Sequence, residues 1–154
     1  MIILGQNERV LYVSGPLRAV NGAYGPFTPH VMERNMLAAK RVAILGWRAG
    51  WAVICPHLNT QMMDGVDGLD SHGFISGDLT FLDRMIPGLD AVIFLKGWTA
   101  SEGAQIEQER AARRGLATCY EENLGSDELI LNYLKALYQG YASGRAFFEE
   151  HCGK

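Results

Sequence analysis

Ala91-Val92-Ile93-Phe94-Leu95 is an unbroken apolar run with no polar alternation. A strand of that kind is buried on both faces, the condition of a parallel strand with helices above and below. Similar runs lie on either side of it. Residues 9–14 (RVLYVS) end in the turn signal Ser14-Gly15-Pro16, residues 51–55 (WAVIC) are closed by Pro56, and residues 116–120 (LATCY) follow. Helical spacing fills the intervals. Met32, Met36, Ala39, Ala43 and Trp47 recur along residues 31–49, and a short helix is expected over 78–86, stopped by Pro87-Gly88. Further helices are expected over 103–114 and 127–141, with another near the C-terminus, while residues 57–77, rich in Asp and Gly, read as a loop. This order predicts an α/β fold. We expect one Rossmann-like (flavodoxin-like) domain over residues 1–154, with about four to five parallel strands, right-handed crossovers and helices on both faces.

Composition agrees with a single packed domain. The chain has 154 residues, 48% hydrophobic and 20% charged, enough to bury a core without staples. A net charge of -3 argues against a general nucleic-acid binder but leaves room for a small phosphorylated ligand in a local pocket. The three cysteines, Cys55, Cys119 and Cys152, have neither disulfide-framework nor zinc spacing, and two fall in apolar runs. No apolar stretch is long enough to span a bilayer, and no charged segment followed by an apolar one opens the chain. A soluble, cytoplasmic protein is therefore expected. Asp64, Asp67, Asp70 and His72 match no known metal-loop spacing, so no metal or cofactor is expected, and the loop that carries them is a candidate lid.

In parallel sheets ligands bind beyond the carboxyl ends of the strands. That rule gathers residues 14–18, 57–64 and 97–107 around one crevice. In the third segment the chain turns from strand into helix through Ser101-Glu102-Gly103-Ala104-Gln105-Ile106-Glu107. The unpaired N–H groups of Gly103 and Ala104, with the Ser101 hydroxyl, suit an anion, and Glu107 lies one turn further along. Taken alone, Ser101 is simply a helix cap and Glu107 a solvated acid. The first loop changes that balance. Gly15 permits close backbone approach, and Arg18 presents a fork of donors that fits phosphate. No Walker loop and no G-x-G-x-x-G are present, so ATP and dinucleotides are unsupported. His57, Asn59 and Thr60 are candidates for contacts to base or sugar, although Asn and Thr also commonly bond turn backbones. Trp98 is a candidate base-stacking ring, although an aromatic after a buried strand more often packs.

Taken in order, several pieces resemble the nucleoside 2-deoxyribosyltransferase-like superfamily, which includes the 2'-deoxynucleoside 5'-phosphate N-hydrolases and nucleotide N-glycosidases. They are Tyr12-Val13-Ser14-Gly15-Pro16, Gly50-Trp51-Ala52-Val53-Ile54-Cys55-Pro56-His57-Leu58-Asn59-Thr60, Gly77-Asp78-Leu79, Asp90-Ala91-Val92, and Gly97-Trp98 through Ser101-x-Gly103-Ala104-x-x-Glu107. The likeness is nearest to small members with a Tyr-(Ile/Val)-Ser-Gly-Pro start. It implies that Glu107 attacks the anomeric carbon, giving a covalent glycosyl-enzyme intermediate. It implies too that Asp78 assists the leaving base and that Tyr12 holds the nucleophile. Residues 86–89 look like an insertion, which makes Asp83 the alternative to Asp78. Asp78 is favoured by its Asp-Leu pattern and an expected place at a helix N-terminus. Ser101 stands where nucleoside-preferring transferases have aspartate, and Arg18 matches a phosphate-handling arginine. Together these imply a nucleoside 5'-monophosphate, gripped by Ser14, Gly15, Arg18, Ser101, Gly103 and Ala104.

The expected activity is hydrolysis to free base and sugar 5-phosphate. The alternatives are a transferase that passes the sugar to a second base, and a non-catalytic nucleotide-binding or sensing module. The resemblance further implies a homodimer or larger homo-oligomer, with the first helix and Tyr133, Leu137, Tyr138, Phe147 and Phe148 as candidate contacts. Core packing accounts for those side chains equally well.

Overall fold

The structure, a computed structural model, describes residues 8–18, 29–63 and 66–140. Its elements run β1 (Val10–Ser14), α1 (Pro29–Arg48), β2 (Ala52–Ile54), α2 (Pro56–Asn59) and α3 (Ser71–Arg84). They continue with β3 (Ala91–Phe94), a 3-10 turn (Trp98–Ala100), α4 (Glu102–Arg113), β4 (Ala117–Tyr120), α5 (Glu121–Leu124) and α6 (Asp127–Tyr138). The four strands form one parallel sheet in the order β2-β1-β3-β4. The chain moves from β1 outward to β2, then returns past β1 to β3. This reversal opens a crevice at the carboxyl ends of β1 and β3, as in flavodoxin-like sheets. The expected α/β class, parallel sheet and helices on both faces are all present.

Strand alternation divides the sheet's side chains into two layers. Leu11 and Val13 of β1, with Ala91 and Ile93 of β3, pack under α1 and α6 beside Ala39, Val42, Ile130 and Leu134. Tyr12, Val92 and Phe94 point the other way, toward Leu82 of α3 and Ala111 of α4. The parity of β1 is what matters for the site. Tyr12 and Ser14 are two residues apart and share the α4 face.

Two polar side chains, one buried and one half-buried, fix the start of β1. The Asp90 carboxylate, 3% exposed, accepts from the Val10 amide at 2.8 Å and from the Ile86 amide at 2.7 Å. Arg9 lies over the Trp51 and Tyr138 rings, 5.1 and 5.7 Å from their centroids, and donates to the Leu137 carbonyl at 2.9 Å. It thereby ties the start of β1 to the last turn of α6.

The stretch between β2 and β3 departs from expectation. Residues 57–77 are not one loop, and the helix expected over 78–86 begins at Ser71. Gly73, Ser76 and Gly77 are weak helix formers, which hides the first two turns from a propensity reading. The helix forms because Asp70 caps it, accepting from the Gly73 amide at 2.8 Å, and because its body packs against α4. Asp78 is therefore a mid-helix residue, not an N-terminal one.

Cys55 and Cys119 are buried free thiols, which burial pushes up to about 11 and about 12 respectively. Of the candidate contact residues, Tyr133 and Leu137 are buried in the core. Cys152, Phe147, Phe148, Asp64 and the last expected helix lie outside the described residues. Leu37, Ile44 and Trp47 of α1 are exposed on one side of that helix. Among the described residues no helix is long and apolar enough to cross a membrane.

Candidate active site

A cleft of about 430 Å³ opens at the carboxyl ends of β1 and β3, within the size range of small-molecule sites. Its walls come from the loop after β1 (Gly15, Leu17, Arg18), from α2 and the residue capping it (His57, Thr60), from α3 (Phe74, Ile75, Asp78) and from the start of α4 (Ser101, Gly103, Glu107). The three segments expected to converge do so.

Glu107 is a buried acid of the cleft, 7% exposed. Its Oε1 accepts from the Tyr12 hydroxyl at 2.7 Å, and its Oε2 accepts from the Ser14 hydroxyl. One donor per oxygen orients the carboxylate while each oxygen keeps a lone pair. Burial raises the Glu107 pKa, and the Ser14 and Tyr12 hydrogen bonds oppose that rise. Tyr12 itself is pushed up, first by burial and then by the Glu107 charge, so it remains a donor. Ser14 is thus a partner of Glu107, not a phosphate ligand. Strand parity, which aims it at α4, accounts for the correction.

Asp78 faces the same cleft from α3. Burial, followed by the nearby Glu107 charge, raises its pKa to about 7. Two neighbouring carboxyls in unequal environments can divide into one ionised and one protonated group near neutral pH. Asp83, the alternative, lies outside this arrangement. It pairs with Arg110 on the surface at 2.5 Å.

The residues expected to hold an anion line one end of the cleft, with one of them otherwise engaged. The Ser101 hydroxyl oxygen accepts from the Ala104 amide at 3.3 Å and so caps α4. That amide is occupied, and Gly103, Ser101 and Arg18 line the same end of the cleft. Glu102 also lines the cleft. Gly15 has a packing reason of its own, because a Cβ there would lie 2.7 Å from the Cβ of Leu95.

The base and sugar candidates separate. α2 is a single turn, so His57 and Thr60, three residues apart, share the cleft face while Asn59 is exposed and turned away from it. His57 commits Nε2 to the Pro16 carbonyl at 3.0 Å. Trp98 packs against Phe94 and Tyr120, with ring centroids 5.3 and 5.4 Å apart, and does not line the cleft. Phe74, Ile75 and Leu17, which the sequence did not single out, supply the apolar wall instead. Phe74 and Ile75 lie one turn before Asp78, a spacing that becomes meaningful once the helix is known to start at Ser71.

A family model described as Domain of unknown function (DUF4406) matches residues 9–120. That span runs from the residue before β1 to the end of β4 and contains every described residue that lines the cleft. No curated protein matches the chain.

Proposed function

The chain belongs to the DUF4406 family, and from the chemistry of its cleft we propose that it is a nucleotide N-glycosidase. It hydrolyses a (deoxy)nucleoside 5'-monophosphate to free base and sugar 5-phosphate. The observation that carries this proposal is the pairing of two unlike carboxyls. Glu107 is held by two hydroxyl donors on the cleft floor, and Asp78 across from it has its pKa raised to about 7. A carboxylate beside a carboxylic acid is the equipment for breaking a glycosidic bond with retention. The ordered sequence motifs shared with the nucleoside 2-deoxyribosyltransferase-like superfamily support the same chemistry.

In the proposed reaction the phosphate binds the Gly103 amide, the Ser101 hydroxyl and Arg18, which fixes the sugar with its anomeric carbon toward Glu107. A Glu107 oxygen forms a bond to that carbon as the C–N bond breaks, and the electron pair of that bond leaves with the base. Asp78 gives the base its proton. Water then attacks the same carbon, the ester bond to Glu107 breaks, and ionised Asp78 accepts the water's proton. Phe74, Ile75 and Leu17 exclude solvent around the base. Transfer to a second base would use the same first half, and release of base with no acceptor present separates the two. Self-association belongs to this proposal, with the exposed α1 side chains Leu37, Ile44 and Trp47 as its surface; a monomer in light scattering removes it.

The test is a panel of ribo- and deoxyribonucleoside monophosphates and their free nucleosides, scanned for released base by chromatography. Base release is expected from monophosphates, and Glu107→Gln should lower it about 10³-fold or more. Binding of nucleotides with no base released from any of them would leave a binding module and end the proposal.

A further inference from the structure

The loop that carries Arg18 is held at two successive carbonyls by side chains from two different elements. His57 of α2 lies with Nε2 3.0 Å from the Pro16 carbonyl, and Asn35 of α1 donates Nδ2 to the Leu17 carbonyl at 3.0 Å. A carbonyl can only accept, so Nε2 carries the imidazole proton. His57 is 6% exposed, and Nδ1, the acceptor of that neutral tautomer, has no hydrogen-bond partner among the described residues. Burial lowers the ring's pKa, in keeping with that form. Pro16 has no N–H of its own, and Leu17 and Arg18 follow it directly into the cleft wall.

We infer that His57 and Asn35 are positioning residues: they bracket the Pro16 and Leu17 carbonyls and so fix the cleft's phosphate-binding end. The bracket touches neither Glu107 nor Asp78 by any hydrogen bond, so it governs grip and not bond breaking. A loop held at successive peptide groups presents the following side chain in one orientation, and misplacement of such a group weakens binding without altering the reacting atoms. The inference rests on the proposed function only for the nature of the ligand.

The experiment compares wild type with His57→Gln, which keeps a donor of similar reach, His57→Phe, which keeps shape alone, and Asn35→Asp. Binding of deoxyribose 5-phosphate is measured by calorimetry, and base release is separated into kcat and KM. His57→Phe and Asn35→Asp are expected to weaken sugar phosphate binding and raise KM about tenfold, with kcat within about threefold, and His57→Gln to recover most of the loss. Wild-type affinity in His57→Phe, or no recovery in His57→Gln, overturns the bracket. If wild type neither binds the sugar phosphate nor releases base, the glycosidase proposal fails and the bracket is decided by hydrogen exchange. Amides of Leu17 and Arg18 should then exchange about tenfold faster in His57→Phe than in wild type or His57→Gln. Equal rates in all three refute it.

Discussion

The hydroxyl of Tyr12 and Oε1 of Glu107 lie 2.7 Å apart, joining the central strand β1 to α4 inside the cleft. The bond exists because β1 alternates, and Tyr12 and Ser14 fall on the face that α4 covers. A slip of one residue in β1 would send Leu11 and Val13 toward Glu107 and leave a buried carboxylate without donors.

Tyr12→Phe removes one of these donors while preserving the ring. A donor to the charged form lowers a carboxyl's pKa, so its loss should move the acid limb of the pH–rate profile upward. Base release is expected to fall about tenfold near neutral pH, from lost orientation of the nucleophile. An unchanged acid limb would mean that Tyr12 does not act on Glu107.

Asp78 links activity and stability with opposite signs. Its folded pKa is raised from 3.8 to about 7. Between those values the folded state holds a proton that the unfolded chain has lost, so stability falls as pH rises through this window. The cost is complete above about pH 7 and absent below about pH 4. Asp78→Asn keeps the shape without the charge. It should therefore melt higher than wild type at pH 8, by at most about 4 kcal/mol at 1.4 kcal/mol per unit, and equal it at pH 3.5. In wild type, base release should decline above about pH 7 as the general acid ionises. Denaturant curves at the two pH values, set beside a pH–rate profile, check both halves. A variant no more stable at pH 8 than wild type would contradict the assignment.

Asp90 is a structural residue, although it stands within one of the shared motifs. Its carboxylate accepts from the Val10 and Ile86 amides, both far from the reacting groups. Asp90→Ala would strand two amides, at a cost of about 2–4 kcal/mol. Urea unfolding should show that loss, while kcat at a temperature where the variant is folded stays within about twofold of wild type. A kcat loss without a stability loss would assign Asp90 to the chemistry instead.

These residues also mark what the sequence made legible. The apolar run 91–95, set within an alternation of strands and helices, pointed to a parallel sheet, because strands covered on both faces lack polar alternation. The expectation that residues 14–18, 57–64 and 97–107 gather around one crevice followed from that topology alone. The start of α3 was hidden because Gly73 and Gly77 disfavour helix, while the forces that form it are the Asp70 cap and packing against α4. The roles of His57, Ser14 and Trp98 were hidden for a related reason. A sequence shows which loop a side chain enters but not which partner meets it there. Ser14 looked like an anion ligand until strand parity paired it with Glu107.

Glu102 provides a test of the proposed phosphate-binding end. It is the first residue of α4 and lines the cleft beside Ser101 and Gly103. A carboxylate in the first turn favours the helix by about 0.3–1 kcal/mol, because it faces the positive end of the helix dipole. The same charge opposes a phosphate placed at that helix start. At distances of several ångströms in a partly solvated cleft, two such charges repel by about 1 kcal/mol, or about fivefold in affinity. Glu102→Gln should therefore lower KM for a nucleoside monophosphate about fivefold at low salt and leave kcat unchanged. The gain should shrink as ionic strength rises and the repulsion is screened. The melting temperature should drop slightly from the lost dipole interaction, so that binding improves while stability declines. For a free nucleoside, which carries no phosphate, KM should not move. An equal gain for nucleotide and nucleoside would place the phosphate elsewhere, and a raised KM for the nucleotide would mean that Glu102 helps to hold the substrate.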